Sequence, residues 1–176
     1  VAGHETTANA LAWTLYLLLQ NNESMQKCKE ELSNVLNGRT PVFDDLSQLK
    51  YLTMCIEESM RIYPPAWIIG RKSINPDVIG KYKISAGHNI LISPYALHRD
   101  ERYWPDPLKF IPERFTPEAV KSRPKNSYLP FGAGPRMCIG NNFAIMEMQV
   151  VLAMIIQNFN FELLSKDEVL PDALIT

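Results

Sequence analysis

The sequence predicts a mainly α-helical protein with a small β component, an α+β fold, on three observations. Apolar residues recur at helical spacing in both flanks. Eleven of the thirteen prolines fall between Pro64 and Pro135, and apolar β-formers cluster between residues 77 and 92. Proline removes a backbone donor and breaks helix interiors, so the flanks are free to be helical and the middle to be sheet and loop. Taking the elements in order, residues 8–20 read as an apolar helix. Residues 24–36 read as an amphipathic one bearing Lys27, Lys29, Glu30 and Glu31, with Asn37-Gly38 closing it as a C-cap. Leu49, Leu52, Ile56 and Met60 give a third helix ending at Tyr63-Pro64-Pro65. Residues 77–92 read as a hairpin, with Val78, Ile79, Tyr82 and Ile84 before an Ala86-Gly87 turn and Ile90, Leu91 and Ile92 after it. Residues 105–130 form a turn-rich meander, and residues 141–159 a last long helix, apolar nearly all round and therefore expected to be buried.

The 176 residues suffice for one domain with a sizeable core, and 46% apolar with 21% charged residues is an ordinary globular mix. A net charge of −1 gives no reason to expect a nucleic-acid partner. Cys28, Cys55 and Cys138 are an odd number, which argues against a complete disulfide framework and for reduced, intracellular thiols. The longest apolar run, residues 8–19, is too short to span a bilayer, so no membrane anchor is expected in this segment.

The run Phe131-Gly132-Ala133-Gly134-Pro135-Arg136-Met137-Cys138-Ile139-Gly140 sets one cysteine in a glycine-rich loop just before the last helix. Its glycines let the backbone approach a flat ligand. Arg136 and the positive end of the following helix favour a thiolate at Cys138. One thiolate without neighbouring Cys or His cannot build a tetrahedral zinc site, but it suffices as the axial ligand of a haem iron. The decamer fits F-x-x-G-x-R-x-C-x-G, and here the chain resembles the cytochrome P-450 haem-thiolate monooxygenases. Read alone, such a loop is also compatible with an ordinary Gly-Pro turn and a buried free cysteine.

Glu58 and Arg61 stand three apart on one helix face and can pair; in isolation that is an ordinary surface contact. With Pro112-Glu113-Arg114-Phe115 about fifty residues on, they resemble the family's E-x-x-R and PERF elements. The resemblance implies that Glu58, Arg61 and Arg114 form one hydrogen-bonded charge network locking the meander to the helix behind the haem loop. Ala2-Gly3-His4-Glu5-Thr6-Thr7 is similar to the family's A-G-x-D/E-T-T segment, on the helix crossing the distal haem face. Ala2 and Thr6 share a face, leaving a small-residue gap beside a hydroxyl. A bond from such a threonine back to the helix is the plainer reading. Activating dioxygen consumes protons, which an alcohol fed by a carboxylate can deliver from water. Thr6 is accordingly expected to bind oxygen and deliver protons, with Glu5 as its relay and Thr7 the lesser choice.

The resemblance further implies haem b as cofactor. Arg136 and Arg71 would face its propionates, and Phe131, Gly132, Gly140 and Ala144 would contact it. His4, His88 and His98 lack metal-ligand spacing and are expected to be solvated or structural. Lys121, Arg123 and Lys125 read as a solvated basic loop, although basic residues on the thiolate side can steer an acidic electron donor. Ala66-Trp67-Ile68-Ile69 would border an apolar pocket. The stretches 95–100 and 103–107 are similar to the branch holding fatty-acid and drug or steroid hydroxylases.

The chain begins at Val1, inside a motif, and the resemblance covers only the C-terminal part of the family's length. Residues 1–176 are therefore expected to be the C-terminal part of a single cytochrome P-450 domain, inactive alone. The implied reaction is hydroxylation of an apolar substrate, with electrons from a separate reductase or ferredoxin, because no flavin or nicotinamide motif is present. The implied location is intracellular: cytoplasmic in a bacterium, otherwise membrane-associated through an N-terminal segment. An isomerase or dehydratase of the same fold, or a haem-binding sensor, is the alternative. Glu5-Thr6 argues against the isomerase, which has little use for a proton relay.

Overall fold

The computed structural model describes residues 2–165, 167 and 169–172. Four helices make the core: α1 (Ala2–Gln20), α2 (Asn22–Leu36), α3 (Lys50–Ile62) and α6 (Asn141–Asn158). Helix α2 contributes Met25, Cys28, Leu32 and Leu36, spaced three and four apart so that they fall on one stripe. It closes at Asn37, whose left-handed φ of 49° lets its N–H reach the Ser33 carbonyl at 3.0 Å. Helix α3 buries Leu52, Cys55, Ile56 and Met60 against that stripe and stops before Pro64-Pro65. Its exposed N-terminal donors are satisfied from another helix: the Glu31 carboxylate accepts from Tyr51 N–H at 2.6 Å and Leu52 N–H at 2.9 Å.

The middle of the chain holds β1 (Ile69–Lys72), β2 (Asp77–Ile79), β3 (Tyr82–Ile84) and β4 (Asn89–Ile92). The expected single hairpin about Ala86-Gly87 is not what forms. Strands β2 and β3 pair about Gly80-Lys81, where Gly80 takes a φ of 59°, while β4 pairs antiparallel with β1, Arg71 opposite Ile90. The four-residue run 85–88 carries the chain from one sheet to the other. Gly87 N–H and His88 N–H bond back onto Ser73, whose N–H bonds the His88 carbonyl. The apolar run 90–92 finds its partner twenty residues upstream, a pairing that local alternation does not encode.

The meander contains α4 (Pro94–Leu97), a 3₁₀ turn at Pro112–Phe115 and α5 (Pro117–Ser122). Helix α6 departs from expectation in one respect. Met148, Leu152, Ala153 and Ile156 are buried, but Phe143 is 67% and Met154 42% exposed, so an all-round apolar helix leaves one side uncovered. Among the described residues no helix is long and apolar enough to cross a membrane.

Candidate functional site

The decamer folds back on itself before α6. Gly132 and Gly134 both take φ of 72°, a region that strains any residue with a Cβ. A short 3₁₀ turn over Gly134–Arg136 follows, and Cys138 N–H donates to the Phe131 carbonyl at 2.9 Å, closing the loop. The Cys138 thiol is free and exposed. A Cβ on Gly140 would stand 3.9 Å from the sulfur, and the Gly140 carbonyl accepts the Ala144 N–H at 2.9 Å as α6 begins. Phe131 and Ala144 pack on the core from either end of the loop. Around the thiol, Met137, Ile139 and Phe143 lie open, with Ile139 wholly exposed. Arg136 is exposed in the loop, and Arg71 is exposed on β1, its guanidinium bonding the neighbouring Gly70 carbonyl at 2.8 Å.

Behind the loop lies a buried polar assembly. Glu58 and Arg61, both 0% exposed, make a two-point pair: Nε to Oε2 at 2.7 Å and Nη2 to Oε1 at 2.9 Å. Arg61 also donates to the carbonyls of His98 at 2.7 Å, Pro107 at 2.8 Å and Lys109 at 3.3 Å, which uses all the N–H groups of the guanidinium. Glu58 accepts in addition from Ile111 N–H at 2.9 Å. Burial pushes the Glu58 carboxyl up, and Arg61, Ile111 N–H and Arg114 pull it back down. Arg114 joins by charge: its Nε stands 3.4 Å from Glu58 Oε1 without a hydrogen bond, while Nη2 serves the Pro105 and Asp106 carbonyls. One side chain on α3 thereby gathers three loop carbonyls that are distant in sequence.

His98 carries the connection onward to the cysteine loop. It is fully buried, and its Nε2 accepts from Leu129 N–H at 2.8 Å, two residues before Phe131. Burial drives its pKa down to about 3, so the ring is neutral. Trp104 Nε1 donates to the Ser127 carbonyl at 3.2 Å and the Tyr128 hydroxyl to the Glu57 carbonyl at 2.8 Å. Residues 127–129 are thus pinned on three sides just before the loop. Arg123 completes the assembly, its guanidinium 4.3 Å from the Trp104 ring and 4.5 Å from Phe115. Sequence reasoning set Arg123 in a solvated basic loop. It is half-buried in an aromatic cage instead, and only Lys121 and Lys125 remain exposed there. The signal for the cage was the run of aromatic residues at Trp104, Phe115 and Tyr128, but their meeting depends on the meander's path.

Beside the loop, Glu57, Tyr128, Phe131, Asn141 and Ile145 line a cavity of about 230 Å³. Burial raises the Glu57 carboxyl to about 7. In the first turns of α1, whose body packs on α6, Glu5 is exposed, Thr6 half-buried and Thr7 buried. Gly3 faces open space, and the Ala2 side chain, half of the expected small-residue gap, lies outside the described part of the structure.

Comparison with known proteins bears on all of these segments together. Residues 1–173 match the family model described as Cytochrome P450. A chloroplastic carotene epsilon-monooxygenase of Arabidopsis thaliana is 45% identical over 167 residues, 93% of this chain and 31% of that protein. Protein LUTEIN DEFICIENT 5 of the same plant, also chloroplastic, is 43% identical over 166 residues, 93% of this chain and 28% of its own. Cytochrome P450 4V2 of Mus musculus is 45% identical over 168 residues, 94% of this chain and 32% of its own. The chain spans about a third of the length of the curated relatives it matches. With the family match running from the α1 segment through the cysteine loop to residue 173, the chain belongs to the cytochrome P450 family.

Proposed function

We propose that these residues carry the thiolate side and the proton-delivery segment of a monooxygenase that inserts one atom of dioxygen into an apolar organic substrate. They would form the C-terminal part of a single domain in a longer enzyme and be inactive alone. The observation that carries this reading is the lone exposed thiol of Cys138 on a loop of left-handed glycines, rimmed by exposed Met137, Ile139 and Phe143. A flat apolar macrocycle with its own nitrogen donors would ask of the protein one thiolate and an apolar rim, and the loop fits it. Among the described residues no group of three or more His, Cys, Asp and Glu could hold a metal ion unaided. Haem b, when bound, supplies the iron and the dioxygen chemistry.

The chain's own residues do the rest. Cys138 would hold the group through its sulfur. Phe131, Gly132, Gly140 and Ala144 back the loop, and Arg136 and Arg71 would hold the carboxylates of the group. Thr6 passes a proton from its hydroxyl and Glu5, exposed to water, restores it. Glu58, Arg61 and Arg114 hold the meander that positions the loop. Electrons come from a separate reductase or ferredoxin, and the location is intracellular. The carotene named for one relative supports an apolar substrate class.

The test uses the full-length protein. Its reduced carbon-monoxide complex is expected to show the strongly red-shifted Soret band of thiolate ligation, which Cys138→Ala abolishes and Cys28→Ser and Cys55→Ser leave in place. A histidine-type spectrum in the parent overturns the reading. Thr6→Ala is expected to keep haem and accept electrons but release them as peroxide. Full coupling of reductant to product in that variant removes Thr6 from proton delivery.

A further inference from the structure

Away from the site, α2 and α3 bring two cysteines together. Cys28 Sγ and Cys55 Sγ stand 3.6 Å apart, 27 residues apart in sequence, and both are 0% exposed. Neither belongs to a disulfide, and neither has a part in the proposed chemistry of Cys138. The thiols face each other at van der Waals distance, and a disulfide bond of about 2.05 Å requires the sulfurs to close by about 1.5 Å in all. Cys55 lies one helical turn before Glu58, so a link here would tie α2 to the helix that organises the buried assembly.

We propose that Cys28 and Cys55 are a modification site, a dithiol that a hydroperoxide oxidises to a disulfide stapling α2 to α3. The step balances with hydrogen peroxide as oxidant. Burial holds the Cys55 thiol protonated, so the step begins on transient opening. One thiol gives up its proton, its sulfur attacks a peroxide oxygen, and the O–O bond breaks. The proton joins the departing hydroxide as water, leaving a sulfenic acid. The second thiol, giving up its proton likewise, then displaces hydroxide from the sulfenic sulfur, forming the S–S bond and a second water. Two electrons and two protons pass from the thiols to the peroxide. Because both sulfurs are enclosed, oxidant reaches them through transient opening, and the reaction is slow beside that of an exposed thiol.

The experiment treats the full-length protein with hydrogen peroxide under native conditions, quenches, denatures with alkylating agent and digests without reduction. Expected are a cross-linked peptide pair joining Cys28 to Cys55, the loss of two alkylatable thiols and a melting temperature raised by several degrees. All should be reversed by dithiothreitol and absent in Cys28→Ala and, separately, in Cys55→Ala. Recovery of both cysteines in alkylated form, their conversion to sulfinic acid without a link, or a link that forms only after denaturation would overturn the proposal. The mass-spectrometric readout is independent of haem content, so its failure is distinct from failure of the monooxygenase reading.

Discussion

At the scale of single residues, Arg61 has the most demanding environment in the molecule. It is fully buried, every N–H it owns is bonded, and the partners include a carboxylate and three carbonyls from a loop with little regular structure. A lysine there keeps the charge but has neither the planar fork nor enough donors, leaving carbonyls and half of Glu58 unpaired in the interior. Arg61→Lys is therefore expected to cost about 3–5 kcal/mol, the range for breaking a buried pair, and to appear as a sharply lowered melting temperature or loss of soluble protein. Arg136→Lys, on an exposed residue, is expected to stay within about 0.5 kcal/mol of the parent. Equal melting temperatures for the two variants would remove Arg61 from the role of organiser.

At the scale of elements, the segment 127–129 depends on His98 staying neutral, because protonation would convert the Nε2 acceptor of Leu129 N–H into a donor. With a folded pKa of about 3 against 6.5 ordinarily, the unfolded chain binds the proton first as pH falls. Stability contributed by His98 is thus complete above pH 6.5 and is lost between 6.5 and 3. Glu57 works in the opposite sense: held protonated up to about 7 rather than 4.5, it removes stability as pH rises across that interval. The two partly cancel between 4.5 and 6.5, so the steeper fall is expected below 4.5. Thermal unfolding against pH checks this, and His98→Gln should flatten the acid limb. An unchanged limb in that variant would show that the histidine does not link protons to folding.

At the scale of the whole molecule, large apolar side chains are left in water at several places around the helical core. Ile139 and Phe143 near the cysteine, Leu91 on β4 and Met154 on α6 stand open, and leaving such side chains in water forgoes about 1.5–3 kcal/mol each. Patches of this kind mark surfaces that take a ligand or another part of a protein. The 176 residues expressed by themselves are therefore expected to self-associate, as checked by size-exclusion chromatography with light scattering. A stable, monodisperse monomer would show that these faces tolerate water.

The sequence by itself determined the four long helices and most of their ends, and it supplied the candidate residues for the chemistry. Helix α1 nevertheless starts six residues before its apolar run, and α4 and α5 form where only loop was expected. Apolar spacing, a left-handed Asn37 cap and the Pro64-Pro65 stop are local, and the cysteine loop announces itself in ten consecutive positions. Only the tertiary structure decided what lies far apart in the chain. It set β4 against β1 rather than in a hairpin with β3, Arg123 among aromatic rings rather than in water, and His98 as the link from Arg61 to Leu129. The same holds for Glu31 capping α3 and for Cys28 meeting Cys55. The reason is physical. Backbone propensity and periodicity act over a few residues, whereas a strand's partner, a buried charge's ligands and a side chain's depth depend on which distant segments share its surroundings.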